Sequence, residues 1–135
     1  MINKPQEIQF ERLVEGSFNG LDGEFVANSL RENCALWTGF VFGRFDYGAL
    51  IELRDIGEGY LNADELMILT TKSKLKKLLK LIETWNADEV GSNYYDNKGN
   101  FVAEGTPEFR DEKDVFKSFG SRLDKTQVIV RVWWD

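Results

Sequence analysis

Short segments rich in β-branched and aromatic residues, separated by turns that contain glycine, run through most of this chain. One predicted hairpin joins residues 34–42 to residues 49–56. A second joins residues 89–95 to residues 101–104 through a turn in which Gly99 supplies a positive φ. Strands joined by such short turns pair antiparallel, so the chain is constrained to form a mainly antiparallel sheet.

Three further segments have the two-residue period of a strand. Residues 6–14 predict a first strand with Ile8 and Phe10 on one face. Residues 65–71 predict another strand. Residues 126–134 alternate from Val128 to Trp134, which predicts a last strand and directs Trp133 and Trp134 to opposite faces.

Two segments instead have the period of a helix. The first helix has Ser73 as its predicted N-cap. Its apolar stripe consists of Leu75, Leu78, Leu79 and Ile82. The second follows acids at Asp111, Glu112 and Asp114, which suit a helix N-terminus; its predicted core residues are Val115, Phe116, Phe119 and Leu123. Residues 24–33 are also compatible with a short third helix, but the pattern alone does not decide this. The pattern predicts one α+β domain over residues 1–135, with about five to seven strands and two or three helices packed on one face.

The residues that the chain lacks exclude many kinds of enzyme. It has no histidine and a single cysteine, Cys34. Histidine-based triads and zinc sites built from cysteine and histidine are therefore excluded. No phosphate-binding loop or dinucleotide fingerprint occurs, so we predict a protein without cofactor or metal that is not an enzyme. Cys34 begins an apolar run and is predicted to lie in the core.

The charge of the chain is unevenly distributed. The net charge is −6, yet five lysines fall within residues 72–80 without an acid among them, which leaves −11 over the rest. The lysine helix is interpreted as a solvated face, and the acidic remainder disfavours nucleic acid as a partner. The sequence has no apolar run long enough to span a membrane and no secretory signal, and its lone cysteine suits a reducing compartment. We therefore expect a cytoplasmic protein, as a monomer or a homodimer.

Two groups of acids are predicted to contact a partner. The first group surrounds a loop and is interpreted as a solvated acidic surface; it consists of Asp55, Glu58, Asp64 and Glu65, with Tyr60 among them. The second group consists of Glu104, Glu108, Asp111 and Glu112. Trp133 is a further candidate, either as an exposed anchor or as a residue covered by another segment.

These features favour a non-enzymatic acidic protein that captures a basic protein partner, as inhibitors, immunity proteins and anti-defence proteins do. One alternative is a small-molecule sensor or accessory domain with a pocket lined by Phe and Trp. Another is a hydrolase that uses carboxylates, because these are the one abundant catalytic group left.

Overall fold

Four α-helices and seven strands make up the part of the chain that the structure describes. The structure, a computed structural model, describes residues 2–44, 53–57, 60–105 and 111–135. The helices are α1 (Lys4–Val14), α2 (Gly23–Glu32), α3 (Lys72–Ile82) and α4 (Glu112–Phe119). The strands are β1 (Gly39–Gly43), β2 (Ile56–Gly57), β3 (Tyr60–Leu61), β4 (Glu65–Thr71), β5 (Glu89–Tyr95), β6 (Phe101–Glu104) and β7 (Gln127–Trp133).

Five strands form one sheet in the order β1-β4-β7-β5-β6, and every neighbouring pair is antiparallel. β2 and β3 pair separately as a two-stranded ribbon. The last strand of the chain therefore occupies the centre of the sheet, where β4 and β5 cover both of its sides. The predicted α+β class with a mainly antiparallel sheet is confirmed.

The two faces of the sheet carry different elements. On the first face, α1, α2 and α3 pack on the main core, which includes Phe10, Leu30 and Leu78 from the helices and Ile68 and Val130 from the strands. On the second face, α4 packs on a smaller cluster through Val115, against Met67, Tyr95 and Ile129. The structure thus has four helices where two or three were predicted, and the fourth lies on the opposite face.

Residues 6–14 are helical, so the predicted first strand is wrong. Asn3 caps α1 by accepting a hydrogen bond from the Gln6 N–H (3.0 Å), and Pro5 occupies the first turn. Proline is suited to this position because the amide there has no partner inside the helix. Phe10 and Leu13 are buried at a spacing of three residues, whereas Ile8 lies on the exposed side.

Helix α1 closes the outer edge of β1. The Gln6 side chain donates to the Phe40 carbonyl (2.9 Å) and accepts from the Phe40 N–H (3.1 Å). The Gln9 side chain accepts from the Phe42 N–H (3.0 Å). A primary amide has the same donor and acceptor as a peptide group, so Gln6 and Gln9 bond β1 as a neighbouring strand would.

The predicted first hairpin is not formed as expected. Residues 34–36 are a 3-10 helix, β1 begins at Gly39, and β1 pairs with β4. Of the predicted return strand, residues 49–52 lie outside the described residues, and Leu53–Asp55 is a 3-10 helix. Cys34 is exposed rather than buried in the core, because it precedes the strand and lies in the turn after α2.

The remaining elements agree with the sequence pattern. The second hairpin forms with Gly99 at φ 81°, and the strands at residues 65–71 and 126–134, the helix at residues 24–33 and the two periodic helices are present. Thr71, not Ser73, precedes α3. Asp111 and Asp114 form a capping box at α4, and Phe116 faces solvent rather than the core.

Replacing Gln6 with alanine removes both side-chain hydrogen bonds to Phe40. We expect the free energy of unfolding, measured by urea denaturation, to fall by about 1–3 kcal/mol, because two backbone groups lose their partner. In the control Glu11→Ala, on the exposed side of α1, the change should stay below about 0.5 kcal/mol. Equal losses in the two variants would show that Gln6 does not close the edge of β1.

Candidate protein-binding surface

The first predicted group of acids is buried. Asp55, Asp64 and Glu65 expose 1%, 4% and 0% of their surface. These three residues are therefore not the solvated acidic surface that the sequence indicated. Glu58 and the side chain of Tyr60 lie outside the described residues.

Each of the three buried carboxylates has a polar partner. An Arg44 guanidinium nitrogen lies 2.6 Å from an Asp55 oxygen. The Asn19 side chain donates to Asp64 (3.1 Å), and Arg131 forms an ion pair with Glu65. Burial of a carboxylate is costly unless a hydrogen bond or an opposite charge compensates it. These acids therefore have an internal structural role, and their charges are not presented to a partner.

The Glu65–Arg131 pair results from the register of the central strands. Glu65 stands opposite Trp133, and Met67 stands opposite Arg131, on β4 and β7. Glu65 and Arg131 are thus diagonal neighbours on the second face, within reach of each other. Side chains alternate between the two faces along β4 and β7. Leu66, Ile68, Val130 and Val132 therefore face the main core, and Glu65 and Arg131 face the other side.

Replacing Arg131 with methionine leaves the Glu65 carboxylate buried without its arginine. We expect a loss of about 3–5 kcal/mol in the free energy of unfolding, measured in urea. The double variant Glu65→Gln, Arg131→Met should lose less, because the buried negative charge is removed together with the positive charge that faces it. A double variant less stable than Arg131→Met alone would contradict this interpretation of the pair.

The second predicted group of acids is exposed. Glu104, Asp111 and Glu112 all face solvent, and Glu108 lies outside the described residues. Glu104 accepts a hydrogen bond from the Tyr94 hydroxyl (2.6 Å), and Glu112 accepts one from the Tyr95 hydroxyl. The bond to Glu104, with burial, raises the pKa of the Tyr94 phenol. Burial, with the bond to Glu112, raises that of Tyr95.

These two carboxylates lie on opposite faces of the sheet at its β6 side. Tyr94 packs against the core of the first face, and Glu104 bonds to it. Tyr95 belongs to the cluster of the second face, and Glu112 reaches it from α4. Glu104 is a residue of β6 and would adjoin a segment placed beside that strand, whereas Glu112 is bonded to Tyr95 on β5.

The outer edge of β6 presents backbone groups that bond to no other described residue. At the turn, the Asp96 N–H donates to the Asn100 carbonyl (2.9 Å), which makes these residues a hydrogen-bonded pair. Bonded and non-bonded pairs alternate along an antiparallel ladder. Phe101 and Ala103, opposite Tyr95 and Asn93, therefore direct their N–H and C=O groups away from β5.

Two cations near the second hairpin are engaged by the hairpin itself. Lys72 donates to the Tyr95 carbonyl (2.5 Å), which faces away from β6. Arg122 donates to the Gly99 carbonyl (3.0 Å), and its guanidinium lies 4.0 Å from the centre of the Tyr95 ring. Lys72 therefore lies on the side of β5 away from β6, whereas Arg122 lies over Tyr95 on the second face and bonds to the turn that precedes β6.

The two final tryptophans separate as the alternation predicts. Trp134 is buried in the main core, and its indole N–H donates to the Trp85 carbonyl (3.2 Å). Trp133 is half-buried and points to the second face, where Glu65 and Glu89 flank it in register on β4 and β5. The sequence left open whether Trp133 is exposed or covered by another segment, and the structure shows a residue of intermediate exposure.

Sequence reasoning missed the residues that make the two sheet edges different. Gln6 and Gln9 were assigned to a strand, although Asn3 and Pro5 before them are a helix-start signal. Phe116 was assigned to the core, but 57% of it is exposed. It follows Glu112 by one helical turn, so the two lie on the same side of α4.

Among the described residues, no group of three or more acids and cysteines is placed to hold a metal ion. No helix in the described ranges combines the length and the apolar character needed to span a bilayer. Comparisons with protein-family models, with curated proteins and with solved structures found no match to this chain.

Proposed function

We propose that this protein is a non-enzymatic acidic binding protein that captures a basic protein partner. The contact region is the edge surface, which we define as the outer edge of β6 at Phe101 and Ala103 together with Glu104, Glu112 and Phe116. The observation that carries the proposal is the difference between the two sheet edges. One edge is bonded by Gln6 and Gln9 of α1, and at the other the outward backbone groups of Phe101 and Ala103 bond to none of the residues that the structure describes, with the exposed Glu104 beside them.

The charge distribution supports a basic partner. The net charge of −6 includes five lysines within residues 72–80, so the remainder carries −11. A field of this sign accelerates the encounter with a positively charged protein. Those lysines belong to α3, which packs on the first face, opposite α4 and Glu112 but on the same face as Glu104.

Phe116 supplies the apolar part of the edge surface. Aromatic side chains contribute strongly to the few contacts that dominate interface energies. Phe116 is the one of the α4 aromatic residues that faces solvent, since Phe119 is partly buried against the second-face cluster. Carboxylates would then speed association, and Phe116 would slow dissociation.

The alternatives remain predictions. A groove of about 620 Å³ lies between α3 and the connection from α2 to β1. Its lining includes Leu36, Leu81, Lys77 and Lys80 and has no aromatic residue, so it does not favour an aromatic-lined sensor pocket. A hydrolase would need carboxylates that are available to react, whereas the buried Glu65 forms an ion pair with Arg131 and the buried Asp55 forms one with Arg44. We expect the protein to meet its partner in the cytoplasm.

Reversing the charge of Glu104 and Glu112 together should weaken partner capture. Asp111 is left intact because it caps α4. We expect the immobilised wild-type protein to retain a basic protein from a lysate of the source organism at low salt. The variant Glu104→Lys, Glu112→Lys should bind it at least about tenfold more weakly, because favourable charge contacts become repulsive. Quantitative mass spectrometry and titration with the purified partner measure the difference.

The matched control is Glu11→Lys, Glu32→Lys, which alters the net charge equally at exposed positions of α1 and α2. It should retain the partner nearly as well as the wild-type protein does. Equal weakening by both pairs would show that net charge alone matters and would contradict the assignment of the edge surface. Retention of acidic proteins only would contradict the proposed function.

A further inference from the structure

We propose that the partner contributes an extended segment with lysine or arginine side chains, which adds to β6 as the next strand of the sheet. This inference rests on the proposed function and specifies how the partner is bound. Addition of a strand to an open sheet edge is a general mode of peptide recognition. It requires outward backbone groups without partners and side chains that select the incoming segment. Within the described ranges, the outward groups of Phe101 and Ala103 and the side chain of Glu104 meet these requirements.

The backbone groups at the β6 edge are spaced as strand addition requires. Phe101 and Ala103 each direct one N–H and one C=O outward, two residues apart. A strand in antiparallel register forms bonds at every second residue. The four outward groups of β6 therefore match two successive bonded positions of an added strand. None of them bonds to another described residue.

The end of β6 limits the length of the contact. Gly105 follows Glu104 with φ 85°, and a Cβ at Gly105 would lie 2.1 Å from the Val90 carbonyl oxygen. The chain therefore turns close against β5 immediately after Glu104, in a conformation that only glycine adopts easily. The contact is short, and its specificity must come from side chains as well as from backbone bonds.

The carboxylates select a basic segment. Side chains of an added strand point alternately to the two faces of the sheet. On the first face they would lie next to Glu104, a residue of β6, while Glu112 adds an exposed negative charge over Tyr95 on the second face. A positive side chain of an added segment would therefore form an ion pair with Glu104, whereas an acidic side chain at that position would be repelled.

A second copy of this chain is a poor occupant of the same edge. Pairing of β6 with β6 would bring together two molecules that each carry a net charge of −6. It would also place Glu104 of both copies in one short ladder. The edge of β1 is a poor acceptor as well, since Gln6 and Gln9 occupy Phe40 and Phe42.

Amide hydrogen exchange with a defined peptide tests the inference. The probe is a synthetic peptide of about ten residues in which lysine and threonine alternate, and the control peptide alternates glutamate and threonine. We expect the lysine peptide at about 1 mM to slow exchange of the Phe101 and Ala103 amides by at least about tenfold. The amides of Val102 and Glu104 already face β5 and should change little. Nuclear magnetic resonance resolves the four amides individually.

The variant Ala103→Pro removes one outward N–H, and an edge strand tolerates proline there because that N–H is not used in the sheet. It should reduce binding of the lysine peptide at least about tenfold while the Glu104 and Val102 amides stay protected. Val102→Pro is the contrasting variant, since it removes an N–H that faces β5 and should disrupt the hairpin itself.

The outcomes separate this inference from the proposed function. Protection of Phe101 and Ala103 by the lysine peptide alone supports strand addition. The lysine peptide could instead bind the wild-type protein without protecting either outward amide, and lose that binding in the variant Glu104→Lys, Glu112→Lys. This result overturns strand addition but is compatible with charge-based capture. If the lysine peptide does not bind at all, strand addition is overturned. The proposed capture of a basic protein is then tested separately by the pull-down from lysate. Equal protection by both peptides overturns the assigned basic chemistry.

Discussion

The arrangement of this protein depends on the hydrogen bonds between the side chains of α1 and the backbone of β1. Gln6 pairs with both backbone groups of Phe40, and Gln9 accepts from Phe42. These bonds fix α1 along the edge of the sheet, so that Phe10 packs against Trp37 and Phe40 in the main core. They also satisfy an edge that would otherwise recruit other strands.

Because α1 closes the edge at β1, the edge at β6 is the one proposed to bind a partner. β6 lies at the far side of the sheet, where Phe101 and Ala103 direct their backbone groups outward and Glu104 is exposed. The acids inside the molecule have a different role, because Arg131 compensates Glu65 and Arg44 compensates Asp55. The acids that the proposed partner would contact are therefore those that the fold leaves in solvent, such as Glu104 and Glu112.

Much of the secondary structure follows from local pattern, but the position of the site does not. The alternation at residues 126–134 and the stripe from Leu75 to Ile82 have one physical interpretation each, and both are confirmed. Residues 6–14 satisfy a strand period and a helix period, and the helix forms because Asn3 caps it and Phe10 and Leu13 share its buried side. Which acids are buried depends on strand order: Glu65 is internal because β4 lies beside β7, a long-range pairing that no local pattern contains.

Amide hydrogen exchange of the free protein tests most directly whether the two edges of the sheet differ in hydrogen bonding. The amides of Phe40 and Phe42 should exchange slowly, because glutamine side chains hold them. Those of Phe101 and Ala103 should exchange much faster than the amides of Val102 and Glu104 in the same strand. Exchange of all four β6 amides at the same slow rate would show that this edge is also closed and would contradict the account.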